Sequence, residues 1–303
     1  MGRIIRLSVT VCCLFAFVAF PVACGGDKKE EVPVEKAKQV SKAKIEHTPE
    51  AKQVSNAKTE NAPEAKHVSK AKPSPDKAVA MLKAGNTRFI EGISNHPHIN
   101  LGRLIQSGKE SQGDHAYATV ITCSDSRVPV ELIFDAGVMD IFVVRVAGNV
   151  CDVDEIGSIE YGLAHVNTPV LVVLGHTQCG AVTAVTHAIH GTGHALERNI
   201  PPLVDNIAPA VRRAISKYPE LLGDSIIPNA IEENVWQGIE DLFMNSPATR
   251  NLVKSGSVKV VGAIYDVGTG KIEWLPDAKV DYIFKTVEAN PARAMKAMAS
   301  EGH

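Results

Sequence analysis

The chain has 303 residues, 45% of them hydrophobic and 22% charged, which is enough apolar material for a core and too much for a chain unfolded throughout. Its 32 basic residues against 34 acidic ones leave a formal charge of −2, so there is no basic excess to hold a nucleic-acid backbone. Six cysteines are too few for a disulfide-built scaffold of this length, and function therefore has to sit in a local site.

Residues 1–24 have the pattern of an export signal. Arg3 and Arg6 supply a positive start, Leu7 to Phe20 form an uncharged, mostly apolar run of 14 residues, Pro21 breaks it, and Ala23-Cys24 follows. The run is short for a helix that spans a bilayer. Ala23-Cys24 resembles the lipobox of bacterial lipoproteins, although Pro21 stands where that motif usually has leucine. The expectation is an exported, periplasmic or cell-envelope protein, attached to a membrane through lipidated Cys24. Soluble secretion after cleavage near Ala23 is the alternative.

Residues 25–73 form a linker. Gly25 to Asp76 contains no Phe, Trp or Tyr and repeats every 14 residues: AKQVSKAKIEHTPE from Ala37, AKQVSNAKTENAPE from Ala51, AKHVSKAKPSPD from Ala65. One valine per repeat cannot bury enough surface to offset the entropy of ordering the chain, and prolines 49, 63, 73 and 75 interrupt any helix. The segment is expected to be a disordered tether, with a reach of about 40 Å as a flexible coil.

A folded catalytic domain is expected over 74–303. Ser74 suits a helix cap and Pro75 a first turn, with Val79, Leu82, Phe89 and Ile90 at helical spacing. Strand-like runs follow at Ala118–Thr122, Ile141–Val146, Val170–Leu174 and Val258–Ile264, separated by long segments of helical pattern. Near-continuous Val/Ile runs are the mark of strands covered on both faces. The pattern predicts an α/β fold, a parallel-sheet core flanked by helices, with ligands at the carboxyl ends of the strands. Gly268-Thr269-Gly270-Lys271 is expected to be a hairpin turn, because Tyr265 and Ile272 occupy the places where a phosphate loop needs Gly and Ser/Thr.

Two strand ends carry chemistry. The first strand runs into Cys123-Ser124-Asp125-Ser126-Arg127, and the third into Gly175-His176-Thr177-Gln178-Cys179-Gly180. Each motif alone has an ordinary explanation: a small buried thiol, or a turn salt bridge. Together, 53 residues apart from Cys123 to His176, they place thiols, imidazole and carboxylate at one edge of the sheet. Two cysteines and one histidine suit a catalytic zinc site, whose fourth position stays open for water. Cys179 would lie at a helix start, where the thiolate is favoured.

These paired motifs resemble those of the β-class carbonic anhydrases. The likeness extends over about Ser74 to Asp277 and includes Leu82-x-x-Gly85-Asn86-x-Arg88-Phe89, Val144 to Asn149, and Glu160-Tyr161. Two departures are Val146, where many members have asparagine, and Val120, where one subgroup has a tryptophan at a regulatory bicarbonate pocket. The resemblance implies reversible hydration of CO2 to bicarbonate and a proton through zinc-bound hydroxide, with one Zn2+ per subunit held by Cys123, His176 and Cys179. It makes Asp125 and Arg127 catalytic: Asp125 orients the hydroxide, and Arg127 keeps Asp125 ionised and turned from zinc. Asp125 is also a conditional fourth metal ligand, with the open, Arg-paired form expected at high pH. Gly180 would offer its backbone N–H to substrate; a glycine needed for close packing is the alternative. A homodimer or higher oligomer is implied, with the first helix reaching to a partner.

Competing readings are a hydrolase of COS or CS2 with the same ligands, and an exported redox protein cycling Cys123 and Cys179. The redox reading leaves His176 and the Asp125–Arg127 pair without a purpose. Cys151 is either an inert core thiol or a disulfide partner. His187, His190 and His194 cluster near the end of the helix after Gly180 and relay protons or bind a second metal; a solvated loop is the alternative. The stretch after Pro276 is expected to serve packing or an interface.

Overall fold

The computed structural model describes residues 71–295. The export signal, Cys24 and nearly all of the repeat linker lie outside the described residues.

Helix α1 (Pro75–Ile90) begins as its sequence demands: the Ser74 hydroxyl accepts the Lys77 amide at 3.4 Å, and Pro75 opens the first turn. Ala78, Val79 and Leu82 are buried on its inner face. Ile90, expected there too, is exposed, because the helix ends at it and the chain turns at Gly92 with φ 70°. After α2 (Leu101–Ser107) come β1 (Ala118–Thr122), α3 (Val130–Ile133), β2 (Ile141–Arg145), α4 (Val153–Ala164) and β3 (Val170–His176). Then follow α5 (Gly180–Ile189), α6 (Pro201–Asp205), α7 (Ala208–Lys217), α8 (Ile227–Asn245) and α9 (Pro247–Lys254). The described chain closes with β4 (Lys259–Tyr265), β5 (Ile272–Trp274) and α10 (Asp277–Ala289).

The strands lie in the order β2-β1-β3-β4-β5. The first four are parallel, as expected, and β5 adds an antiparallel edge to β4 through the expected hairpin. In that hairpin Asp266 Oδ1 accepts the amides of Gly268 (2.9 Å) and Thr269 (2.7 Å). β3 runs two residues past its expected end, because Gly175 and His176 pair with Ile264 and Tyr265 of β4. Gly175 permits close packing of α8, since a Cβ there would lie 2.7 Å from Val235 Cγ2.

Alternation along the strands sends side chains to two cores. One face (Ile121, Leu171, Val173, Val260) packs against Ile156 and Ile159 of α4, against α8, and against Val280, Ile283 and Val287 of α10. The C-terminal helix is thus a packing element. The other face (Val120, Val172, Leu174, Val261) is covered by α1 and by Val130 and Ile133 of α3. A third cluster lies beyond the strand ends and joins Cys123 and Cys179 to α5, α7 and the start of α8.

The strand order places the site. The chain leaves β1 toward β2 on one side, then crosses to β3 on the other, so β1 and β3 are neighbours at the point where the winding reverses. In open parallel sheets a crevice opens there, between the loops that leave in opposite directions.

Candidate metal centre

Cys123 follows β1 directly and His176 is the last residue of β3, so the crevice receives both. Three residues after His176 the chain passes through Cys179, the residue that caps α5. All three side chains are buried, and their Sγ, Nε2 or Nδ1 and Sγ atoms lie within 4.8 Å of one another. Among the described residues this is the one group of three or more such side chains close enough to hold an ion.

The imidazole is set for coordination. Nδ1 of His176 lies 2.9 Å from the Thr177 carbonyl oxygen, which only accepts, so Nδ1 carries the proton. Nε2 then presents a bare lone pair, and it is fully buried without a hydrogen-bond partner. A buried acceptor with no donor is costly unless a ligand completes it. The Thr177 loop is itself fixed: its amide reaches the Tyr265 carbonyl at 2.9 Å, and its hydroxyl accepts the Val267 amide at 3.0 Å.

The thiols are coupled. A hydrogen bond from Cys179 lowers the Cys123 thiol to about 4 against the cost of burial, helped by the Gly148 amide at 3.2 Å. The same bond and burial push Cys179 upward. Without a cation the pair therefore keeps one proton, and a divalent ion would displace it. Gly148 has φ 78°, and a Cβ there would meet Ile207 Cδ1 at 2.5 Å, so glycine is needed to bring that amide to the sulfur. Two sulfurs and one bare imidazole nitrogen, all dry, are the donor set that zinc takes.

Asp125 stands beside this triad and outside it. Its Oδ2 is 3.9 Å from His176 Nε2, while Arg127 grips the carboxylate through Nε (3.0 Å to Oδ1) and Nη2 (2.7 Å to Oδ2). The Arg127 amide adds a bond of 2.9 Å to Oδ1. These bonds hold the Asp125 carboxyl well below the usual carboxylate range. Asp125 is thus turned onto the guanidinium of Arg127 and stands outside the Cys-His-Cys triad. Gly180 opens α5 with an exposed backbone, and a Cβ added there meets nothing within 4 Å. Within the described residues of this chain, no neighbour approaches closely enough to require glycine there.

Three contributors escape sequence reasoning. Thr177 acts through its carbonyl, which any residue supplies. Arg145, quoted above only within a motif, donates to the carbonyls of Cys123 (3.1 Å) and Asp125 (2.6 Å) and ties the first loop to β2. Gln178 takes Arg127 Nη2 on its carbonyl at 3.1 Å. Other residues fall out of the site. Cys151 is a free thiol buried in the core, and burial pushes its pKa up, which makes it inert. His187, in the last turn of α5, pairs with Asp224 at 2.7 Å, and among the described residues His187, His190 and His194 form no metal group.

An α/β sheet with a dry Cys-His-Cys triad at its switch point, and an Arg-held carboxylate beside it, defines a protein whose residues would hold zinc. A family model described as carbonic anhydrase matches residues 118–272. Carbonic anhydrase 2 of Mycobacterium tuberculosis is 35% identical over 202 residues, covering 65% of this chain and 91% of that protein. The carbonic anhydrase of Mycolicibacterium smegmatis is 33% identical over 204 residues, covering 66% and 93%. Among solved structures, the β-carbonic anhydrase CcaA matches with a TM-score of 0.52 and 26% identity, over 66% of this chain and 96% of that one. The β-carbonic anhydrase CafA of Aspergillus fumigatus shares the fold, with a TM-score of 0.53 and 24% identity over 71% of this chain and 100% of that one. The chain belongs to the carbonic anhydrase family, in its β class.

Proposed function

We propose that the chain hydrates CO2 reversibly to bicarbonate and a proton at the Cys123–His176–Cys179 centre, with Asp125 and Arg127 as its catalytic pair. One observation carries this: a dry two-sulfur, one-nitrogen donor set with an ionised, Arg-held carboxylate 3.9 Å from its nitrogen. Zinc, when bound, supplies a water acidified toward neutral pH. Two thiolates and a neutral imidazole cancel the ion's charge, so the remaining polarisation must come from the chain. Asp125 is an acceptor only, because Arg127 keeps it ionised; it takes a hydrogen bond from the attacking oxygen and turns the oxygen's lone pair toward the CO2 carbon. The Gly180 amide, at the positive end of α5 with free space around it, donates to a substrate oxygen. His176 and Cys179 are held by the Thr177 carbonyl and the helix start, so neither reorganises during turnover.

Zinc content and stopped-flow CO2 hydration, measured on one preparation, test this. About one zinc per chain together with hydration is the expected result. A zinc-loaded chain that does not hydrate CO2, or a zinc-free one whose Cys123 and Cys179 cycle as a disulfide, sinks it.

The mature protein is exported and held at the cell envelope through lipidated Cys24, on the strength of Arg3, Arg6, the apolar run and Ala23-Cys24. The repeat segment is its tether. The chain also assembles as a dimer or larger. Ile93, Ile99, Leu101, Leu104 and Ile105 form an exposed apolar arm after α1, held in shape by buried Asp135 and Asp140. Asp135 accepts the amides of Asn95 (3.0 Å) and His96 (2.9 Å), and Asp140 accepts Arg103 Nη2 at 3.0 Å. A rigid apolar arm is suited to burial against a second copy.

A further inference from the structure

Gln178 lies between two ligands of the metal centre and has φ 58°, in the left-handed region that straight-chain residues seldom occupy. Glycine would meet that conformation at lower cost. The side chain is exposed, so packing does not explain its presence. Its two oxygens face one partner: the backbone carbonyl accepts Arg127 Nη2 at 3.1 Å, and Oε1 accepts Nη1 at 3.3 Å. The other edge of the same guanidinium is on Asp125, through Nε at 3.0 Å and Nη2 at 2.7 Å. The guanidinium is therefore clamped between the two motif loops. An exposed ion pair held at one side only is weak and swings freely, and the Arg127 side chain is 45% exposed.

Building on the function proposed above, we infer that Gln178 is a positioning residue that acts through Arg127. Its side-chain oxygen fixes the guanidinium on Asp125, and so holds that carboxylate in the orientation the hydration step uses. The carbonyl contact would survive any substitution, so the contribution particular to glutamine is Oε1. Strain in the backbone is kept here to aim a side chain, as it often is at functional sites.

Gln178→Met keeps the length of the side chain and the same backbone demand while removing the acceptor. In the zinc-loaded enzyme it should lower kcat/KM by about tenfold, the scale of one hydrogen bond to a charged donor, at unchanged zinc content. In an Arg127→Ala background the same substitution should change nothing further, because no guanidinium remains to be held. In the crystal structure of Gln178→Met, Arg127 should no longer sit in its two-bond position on Asp125. Native kcat/KM in the single variant, an equal loss in the Arg127→Ala background, or Arg127 still clamped on Asp125 would each overturn the inference. The position of Arg127 is read without turnover. A zinc-loaded native chain that fails to hydrate CO2 thus counts against the proposed function, while the variant structure still decides the clamp.

Discussion

Asp125 keeps four donor contacts from Arg127, at 2.7 to 3.3 Å, and none from the solvent side would match them. A carboxylate so engaged stays ionised across any pH at which the enzyme works and has little freedom to turn toward the metal donors. Asp125→Ala and Arg127→Ala should therefore retain zinc and lose CO2 hydration by about a hundredfold or more, the range of a positioned acid–base group. Cys179→Ala should lose the zinc itself. Metal analysis alongside stopped-flow rates separates the two classes of variant, and native zinc content in Cys179→Ala would show that the thiol is no ligand. The ligand types were legible in sequence because thiol, imidazole and carboxylate chemistry belongs to side chains and crowds into two short motifs. The Thr177 carbonyl that fixes the His176 proton was not, because every residue offers the same group.

Among the elements, α1 shows what a helix contributes beyond its apolar stripe. Asn86 lies on its buried face; its Nδ2 donates to the carbonyls of Ile133 (3.2 Å) and Gly270 (2.9 Å), and its Oδ1 accepts the Ile272 amide at 3.0 Å. One side chain thus joins α1, the end of α3 and the β4–β5 hairpin. Asn86→Ala leaves two carbonyls and one amide without partners in a dry place and should cost about 2–4 kcal/mol. Urea unfolding of the variant measures this, and a loss below about 0.5 kcal/mol would mean that the pin is not there. Helical spacing identified α1 and its cap, since both depend on near neighbours. It misplaced Ile90 because a helix end is set by what the chain does next. It also stopped β3 at Leu174, because the pairing of Gly175 and His176 depends on β4, more than eighty residues away.

At the scale of the whole molecule, stability depends on pH through Asp241 on α8. Burial raises its carboxyl from 3.8 to about 6, against the hydrogen bond from Gln237 at 2.7 Å. For a folded-state pKa raised above the unfolded one, the stabilising contribution is complete below about pH 4 and is lost as pH rises to about 6. Asp241→Asn should then stabilise the fold above pH 6 by about 1–2 kcal/mol, discounted for partial solvent access, and give no gain near pH 4. Thermal midpoints of both proteins across that range test the sign; a gain confined to low pH would reverse it. Assembly belongs to this scale too. Leu101→Glu with Leu104→Glu should turn the native oligomer into monomers in light scattering, and a native chain that elutes as a monomer would end that proposal.

The amino-acid order alone determined the alternation of strands and helices, the helix cap at Ser74 and the identity of the chemical groups, because each arises from a residue's own side chain or from neighbours a few positions away. Only the tertiary structure decided that β1 and β3 lie side by side with the winding reversed between them, and so that Cys123, His176 and Cys179 meet in one dry crevice. Strand adjacency comes from burying two sheet faces at once, under α4, α8 and α10 on one side and α1 and α3 on the other. That is a sum over contacts distant in the chain, and no local pattern contains it.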